Sequence, residues 1–185
     1  MLRLEHIETW QFTAGQAVEI LDWNERQFAN WTKRYAPFPH KSKGRGYTIT
    51  YGLGDLMMLY AAGKLVEAGM SPEKAFQLAT LLSPLGAMFS KERLGTRYPG
   101  TYVYSQNDQG RWIGADSRDN PIAIEVRGWP IFDKVWPRAK AAMLKNHGNV
   151  NSSELKAALQ EFDDKIAGIR AQRWDAETIE KGKRP

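Results

Sequence analysis

The stretch TAGQAVEILDWNERQFANWTKRY, residues 13–35, decides how the chain folds. Thr13 and Gln16 have the spacing of a capping box, in which the hydroxyl accepts an early helical N–H and the Gln side chain reaches back. Ala14, Ala17, Val18 and Leu21 then recur at helical spacing, which predicts a short helix to Leu21. Asp22 and Trp23 form a tight turn, and Asn24 is placed to cap a second helix over Glu25–Tyr35, with Phe28 and Trp31 on its inner face. Two short helices joined by a turn of about three residues make a helix-turn-helix. A helix that reads DNA must present short polar and basic groups to base edges in the major groove. Arg26, Gln27, Asn30, Lys33 and Arg34 can supply them from one solvent-facing side.

Working outward, Pro37 and Pro39 end the second helix, because proline cannot donate to the helical ladder. Lys41-Ser-Lys-Gly-Arg-Gly46 reads as a turn and Tyr47–Tyr51 as a strand, together a β-hairpin with a basic tip; a flexible loop is the alternative. Such a wing reaches phosphates or the minor groove, work that suits Lys41, Ser42, Lys43 and Arg45, while Tyr47 packs beneath the wing or bonds a phosphate. Asp55 is placed to cap a third helix running to Ala68, with Gly69 as its stop. Ser71-Pro-Glu73 opens a fourth helix that ends near Leu82 or Ser83.

Beyond Ser83 the character changes. Thr101–Ser105 and Arg111–Ile113 read as a hairpin and Ile122–Val126 as a third strand, followed by an irregular start and a helix after Pro137. Tyr98, Tyr102, Tyr104, Trp112, Trp129 and Trp136 concentrate here, as a small aromatic core or as a ligand-sensing surface. After a polar linker over Asn146–Asn151, Ser152 or Ser153 caps a terminal helix, and Lys181–Pro185 reads as a disordered tail. Leu155, Leu159, Phe162, Ile166 and Ile169 form a heptad seam on this amphipathic helix, which packs on its own chain or pairs with a partner. The fold class is therefore α+β, in three parts. These are a winged helix-turn-helix over 1–83, a small antiparallel sheet with a helix over 84–148, and a C-terminal helix over 149–185 expected to dimerise.

Charge is uneven along the 185 residues. The net charge is +5, yet residues 23–47 carry Arg26, Lys33, Arg34, Lys41, Lys43 and Arg45 against Glu25 alone. A basic run is commonly a solvated face, but this one coincides with the helix-turn-helix and wing. The absence of cysteine excludes disulfides and thiolate metal sites and suits a reducing cytoplasm. No stretch is apolar for long enough to span a membrane. His6, His40 and His147 lack ligand spacing, no nucleotide-binding glycine motif has its structural context, and no nucleophile has a base beside it. No metal, cofactor or catalysis is expected.

Residues 12–82 resemble the DNA-binding domain of the MerR family. Phe12-Thr13 looks like the family's aromatic-Thr opening, and Gly15, Ala17 and Val18 fit its first helix. Asn24-Glu-Arg26 stands at the cap and start of the recognition helix, Trp31 at an aromatic position of that helix, and Arg45-Gly-Tyr47 at the wing. Asp55, Leu56 and Leu59 match the helix after the wing, and Gly69-Met-Ser71 the break before the next. Ala29 and Asn30 depart from the Arg and Tyr usual in the family, and the family's long dimerisation helix does not follow Ser83. The resemblance implies a DNA-binding role for Arg26. With the residue reading, it gives a DNA-contacting set of Thr13, Asn24, Arg26, Gln27, Asn30, Lys33, Arg34, Lys41, Ser42, Lys43, Arg45 and Tyr47.

The expected function is sequence-specific binding of double-stranded DNA by a dimeric transcriptional regulator. One alternative is an excisionase-like or packaging-type DNA-architecture factor of a mobile element. The other is a ligand-sensing or protein-interaction module, in which a small-molecule effector would occupy the middle region.

Overall fold

The computed structural model describes residues 7, 9–35, 49–80, 101–106, 109, 112–115, 123–148 and 150–182. The fold is α+β and mostly helical. In chain order the elements are β1 (Phe12–Thr13), α1 (Ala14–Leu21), α2 (Glu25–Tyr35), β2 (Thr50–Tyr51), α3 (Leu53–Glu67), α4 (Pro72–Thr80), β3 (Thr101–Gln106), β4 (Trp112–Ala115), β5 (Ala123–Arg127), α5 (Gly128–Lys145) and α6 (Ser152–Gly182).

Local chemistry sets most helix ends. Thr13 and Gln16 form the expected reciprocal cap: the Gln16 N–H donates to the Thr13 hydroxyl at 3.3 Å and the Thr13 N–H to the Gln16 side chain at 2.8 Å. The Asn24 side chain accepts the N–H groups of Arg26 and Gln27 at 2.9 and 3.3 Å, a cap worth about 1 kcal/mol. Gly69 ends α3 with φ of +95°, the left-handed geometry glycine adopts freely, while the Met70 N–H closes onto the Leu65 carbonyl. Two caps differ from expectation. Asp55 lies inside the first turn of α3, where its carboxylate accepts the Gly52 N–H at 2.8 Å, so the helix starts at Leu53. Asn151, one residue before α6, accepts the Ser153 and Glu154 N–H groups in place of a serine cap.

The strands pair in two antiparallel sheets. In one, Phe12 pairs with Tyr51 and Thr13 with Thr50. Of the strand expected over Tyr47–Tyr51, Thr50–Tyr51 is present, and its partner lies at the entry to α1, a pairing that local pattern does not announce. In the other, the order is β4-β3-β5, the small sheet expected of the middle region.

The helix after that sheet starts earlier than the sequence predicts. β5 passes directly into α5, which begins at Gly128 and runs through Pro137. A proline inside a helix forfeits one backbone hydrogen bond and costs about 3 kcal/mol. Here its ring lies on the exposed face, while Ile131, Phe132, Val135, Trp136, Ala139, Ala142 and Met143 continue one buried face past it. Burying a single large apolar side chain contributes about 1.5–3 kcal/mol, so the five large ones, Ile131, Phe132, Val135, Trp136 and Met143, outweigh the proline.

The terminal helix returns along α5. Trp136 stacks on Phe132 and meets Phe162 at 4.6 Å between ring centroids. The Asp163 carboxylate accepts from the Trp136 indole N–H at 2.6 Å and pairs with Lys140, and Arg170 reaches Asp133 at 2.7 Å over the Trp129 ring. These pairings, rising along α5 as they fall along α6, make an antiparallel helical hairpin. The seam is thereby used inside the chain: Leu155, Leu159, Phe162 and Ile166 are buried and Ile169 is half-buried. This corrects the expectation that the seam presents itself to a partner. The helix also extends to Gly182, taking in Lys181 and Gly182 of the expected tail; 183–185 lie outside the described residues. One buried cluster runs from Ile7 to Ile166, across the boundaries expected at 83 and 148.

One close approach shapes this core. A Cβ on Gly63 would sit 2.6 Å from the Trp23 ring, so α3 can seat that indole only because position 63 has no side chain. Alanine would favour the helix by about 1 kcal/mol, but overpacking costs about 1–3 kcal/mol. The net of the two is about 0–2 kcal/mol, and we predict that Gly63→Ala lowers stability within that range in denaturant unfolding; a more stable variant would contradict the close seating of Trp23. Truncating Phe162→Ala should cost about 3–5 kcal/mol, with a midpoint independent of protein concentration. A concentration-dependent midpoint would return the seam to an interchain role.

Candidate nucleic-acid interface

The candidate interface is the outer face of α2, and it is built from behind. After Leu21 the chain turns through Asp22, which takes the left-handed conformation with φ of 58°. The Asp22 N–H bonds the Glu19 carbonyl and the Trp23 N–H the Val18 carbonyl, closing α1 while reversing the chain. Left-handed backbone strains most side chains, though Asp tolerates it better than most. Asn24 then caps α2, so the angle between the two helices is set within three residues.

Aromatic rings hold α2 in place. Phe28 is buried, and Phe28, Trp31 and Tyr35 follow one face at helical spacing. Phe28 meets Tyr51 of β2 edge-on at 5.3 Å, and Trp31 meets Trp23 at 5.2 Å and Phe76 of α4 at 5.8 Å. Tyr35 stacks on Phe76 at 5.4 Å. Such ring pairs contribute about 0.5–1.5 kcal/mol each beyond area burial.

The opposite face carries the expected groups. Arg26, Asn30, Lys33 and Arg34 are exposed along about 12 Å of helix, and Gln27 is half-buried at the edge. Among the described residues Arg26, Lys33 and Arg34 make no ion pair, whereas Arg138, Lys140, Lys145 and Arg170 on α5 and α6 each face a carboxylate. Lys33 and Arg34 also sit in the last turn and Glu25 in the first, the arrangement the helix dipole favours. Thr13 and Asn24 are exposed at the two helix starts, with oxygens engaged as caps, so their first role is to shape the backbone. Lys41, Ser42, Lys43, Arg45 and Tyr47 lie outside the described residues. Compared with known protein families and with curated proteins, the chain matches none.

Several contributors escape a reading of the sequence. Gln11 receives the Thr50 hydroxyl at 3.0 Å, joining the entry of α1 to β2. Arg138 of α5 donates to the Ile20 carbonyl at 3.2 Å, across 118 positions of chain. No local pattern signals either contact. The middle-region aromatics whose surroundings are described are structural: Trp136 is buried, and Trp129 is half-buried against Phe132 and beneath Arg170. Among the described residues no three His, Cys, Asp or Glu side chains are grouped to hold a metal, and no helix is long and apolar enough to cross a membrane.

Tyr51, which anchors β2 under α2, carries a titration signature. Burial pushes its phenol above the ordinary value of 10.0; a hydrogen bond to Thr32 opposes this and the Asp55 carboxylate adds to it. The folded state thus holds the proton more tightly than the unfolded chain. The associated stability is fully present below pH 10 and is lost as pH rises through the folded value. Lys64, raised chiefly by its hydrogen bond to Glu67, titrates in the same direction but is well exposed. We predict that stability falls above about pH 10 and that Tyr51→Phe lessens the fall, as read by urea unfolding between about pH 9 and about pH 11. An unchanged slope in the variant would argue against a buried phenol.

Proposed function

We propose that the chain binds double-stranded DNA sequence-specifically through a winged helix-turn-helix, with α2 as the recognition helix and the basic segment over 41–47 as the wing. The observation that carries this reading is the asymmetry of α2. One face is locked onto rings of β2, of α4 and of the preceding turn, and the other presents Arg26, Asn30, Lys33 and Arg34 with no carboxylate neutralising the cations among the described residues. Rigid support matters because base readout requires side chains held in register with base edges. The likeness of residues 12–82 to the MerR DNA-binding domain points the same way, and regulation of transcription is the role that follows when such a domain occupies a promoter.

The two parts would divide the labour. Arg26, near the start of α2, would read a base, and Asn30 one turn later would read or orient beside it. Lys33, Arg34 and the wing residues Lys41, Lys43 and Arg45 suit phosphates, which position the protein but carry little sequence information. The C-terminal seam supplies no dimer face for this reading, so the number of copies on a site is a matter for the length of its footprint.

With about four phosphates engaged per protomer, the log–log dependence of affinity on salt should have a slope of about −4. Arg26→Ala should weaken the preferred site by about 1–3 kcal/mol and relax base preference locally, whereas Lys43→Ala should weaken all duplexes evenly. Binding sites selected from random duplexes, followed by titration at several salt concentrations, measure both. A flat salt dependence, or equal losses on specific and random DNA for Arg26→Ala, would count against the proposal.

A further inference from the structure

We propose that Arg138 is a positioning residue for DNA recognition: from α5 it grips the turn that sets the angle of α2, making the C-terminal helical hairpin part of the reading head. The inference rests on the DNA-binding reading above. Its ground is a juxtaposition remote in sequence. One arm of the guanidinium donates to the Ile20 carbonyl, in the last turn of α1, and the other lies 3.7 Å from the Asp22 carboxylate. Ile20 sits in the stretch where helix carbonyls lack intrahelical donors, and a cation there also meets the negative end of the helix dipole. Asp22 is the left-handed residue on which the chain reverses, and α2 starts three residues later.

Arg138 reaches both the last turn of α1 and the residue on which the chain reverses. Two clefts flank the guanidinium, one lined by Trp23, Tyr60, Lys64 and Glu67 and the other by Glu19, Ala141 and Lys145, and both are bordered by Asp22 and Arg138. The seam between the α1 turn and α5 is therefore open on either side of Arg138 and bridged by it. The nearby Lys145–Glu19 pair and the Arg138–Asp22 pair are both well exposed, where an ion pair is weak, so the part-buried bond to the Ile20 carbonyl is the main hold. Arg138 in turn is placed by a rigid helix: its neighbours Trp136 and Lys140 are the two residues tied to Asp163 of α6. A planar fork can hold a carbonyl and a carboxylate at once; a single ammonium cannot reproduce that geometry.

The test compares wild type with Arg138→Lys, which keeps the charge and most of the stem, and with Arg138→Met. Two readouts are needed. Amide hydrogen exchange, without DNA, reports on the Asp22 and Trp23 N–H groups that close the turn. Both variants should speed exchange there while the amides of Met58 and Leu59 in α3 stay as in wild type. Titration against the selected duplex and a random duplex should show the specific-to-random ratio falling about three- to thirty-fold, the range for residues acting through a packed network, with the salt slope unchanged. Unchanged exchange and an unchanged ratio in folded Arg138→Lys would overturn the proposal. So would an even loss on both duplexes with the salt slope smaller by about one, since Arg138 would then be a phosphate contact. Should Arg138→Met fail to fold, Arg138→Lys decides by the same criteria. If wild type binds no duplex, the DNA-binding reading fails and the recognition role of Arg138 falls with it, while the exchange experiment still decides whether the arginine holds the turn.

Discussion

The seating of one polar helix on a cluster of rings is the constraint on which the arrangement around α2 depends. α2 carries arginines, lysine, asparagine and glutamine, and Phe28 alone is fully buried on it. A helix of eleven residues is marginal by itself, so tertiary contact must hold it. That contact comes from Trp23 in the preceding turn, Tyr51 in β2 and Phe76 in α4, which meet Phe28, Trp31 and Tyr35 at edge-on and stacked distances. Each supplier has its own support: Trp23 lies against Gly63, Tyr51 pairs with Phe12, and Phe76 is buried with Leu78 and Ala79. The short β1–β2 pair and the bend between α3 and α4 are thus the framework that brings three rings to one helix face.

A second layer turns this framework into part of a larger body. α5 lies along α1 and α3 and carries α6 on its other side, so the buried cluster is continuous from the first helices to the last. Apolar packing dominates that layer, with Trp136 between Phe132 and Phe162 at its centre. The polar ties are fewer and more directional. Asp163 gathers an indole and an ammonium, and Arg138 reaches a backbone carbonyl on the helix that leads into the turn. Exposed ion pairs contribute little to stability, so the value of such ties lies in fixing register between helices whose apolar faces could otherwise slide. This is how a helix late in the chain comes to bear on the geometry of one near its start.

The candidate site was legible where its signal is local. Thr13 with Gln16, and Asn24 ahead of Arg26 and Gln27, act through backbone groups two or three positions away, and the structure shows those bonds. The exposure of Arg26, Asn30, Lys33 and Arg34 follows from the burial of Phe28 once the helical period is known. Local signals misled where a tertiary term exceeded them. Pro137 reads as a boundary, yet the apolar face around it is large enough to carry the helix through. Asp55 and Ser152 are good caps by type, but the neighbours Gly52 and Asn151 take the starting positions.

The sequence by itself determined the helical segments, their polar and apolar faces, the basic character of residues 23–47 and the sharp turn between α1 and α2. These follow from periodicity, capping and charge, which act over a few residues. Only the tertiary structure decided what each apolar face covers. The seam of Leu155, Leu159, Phe162 and Ile166 has the same pattern whether it meets a second copy or its own chain, because burial is non-directional and leaves no mark of the partner in the periodicity. Here it meets α5, with Asp163 and Arg170 holding the register. The pairing of Thr13 with Thr50, the seat of Trp23 on Gly63 and the reach of Arg138 to Ile20 belong to the same class. They join residues that chain order separates, and only close packing in three dimensions selects them.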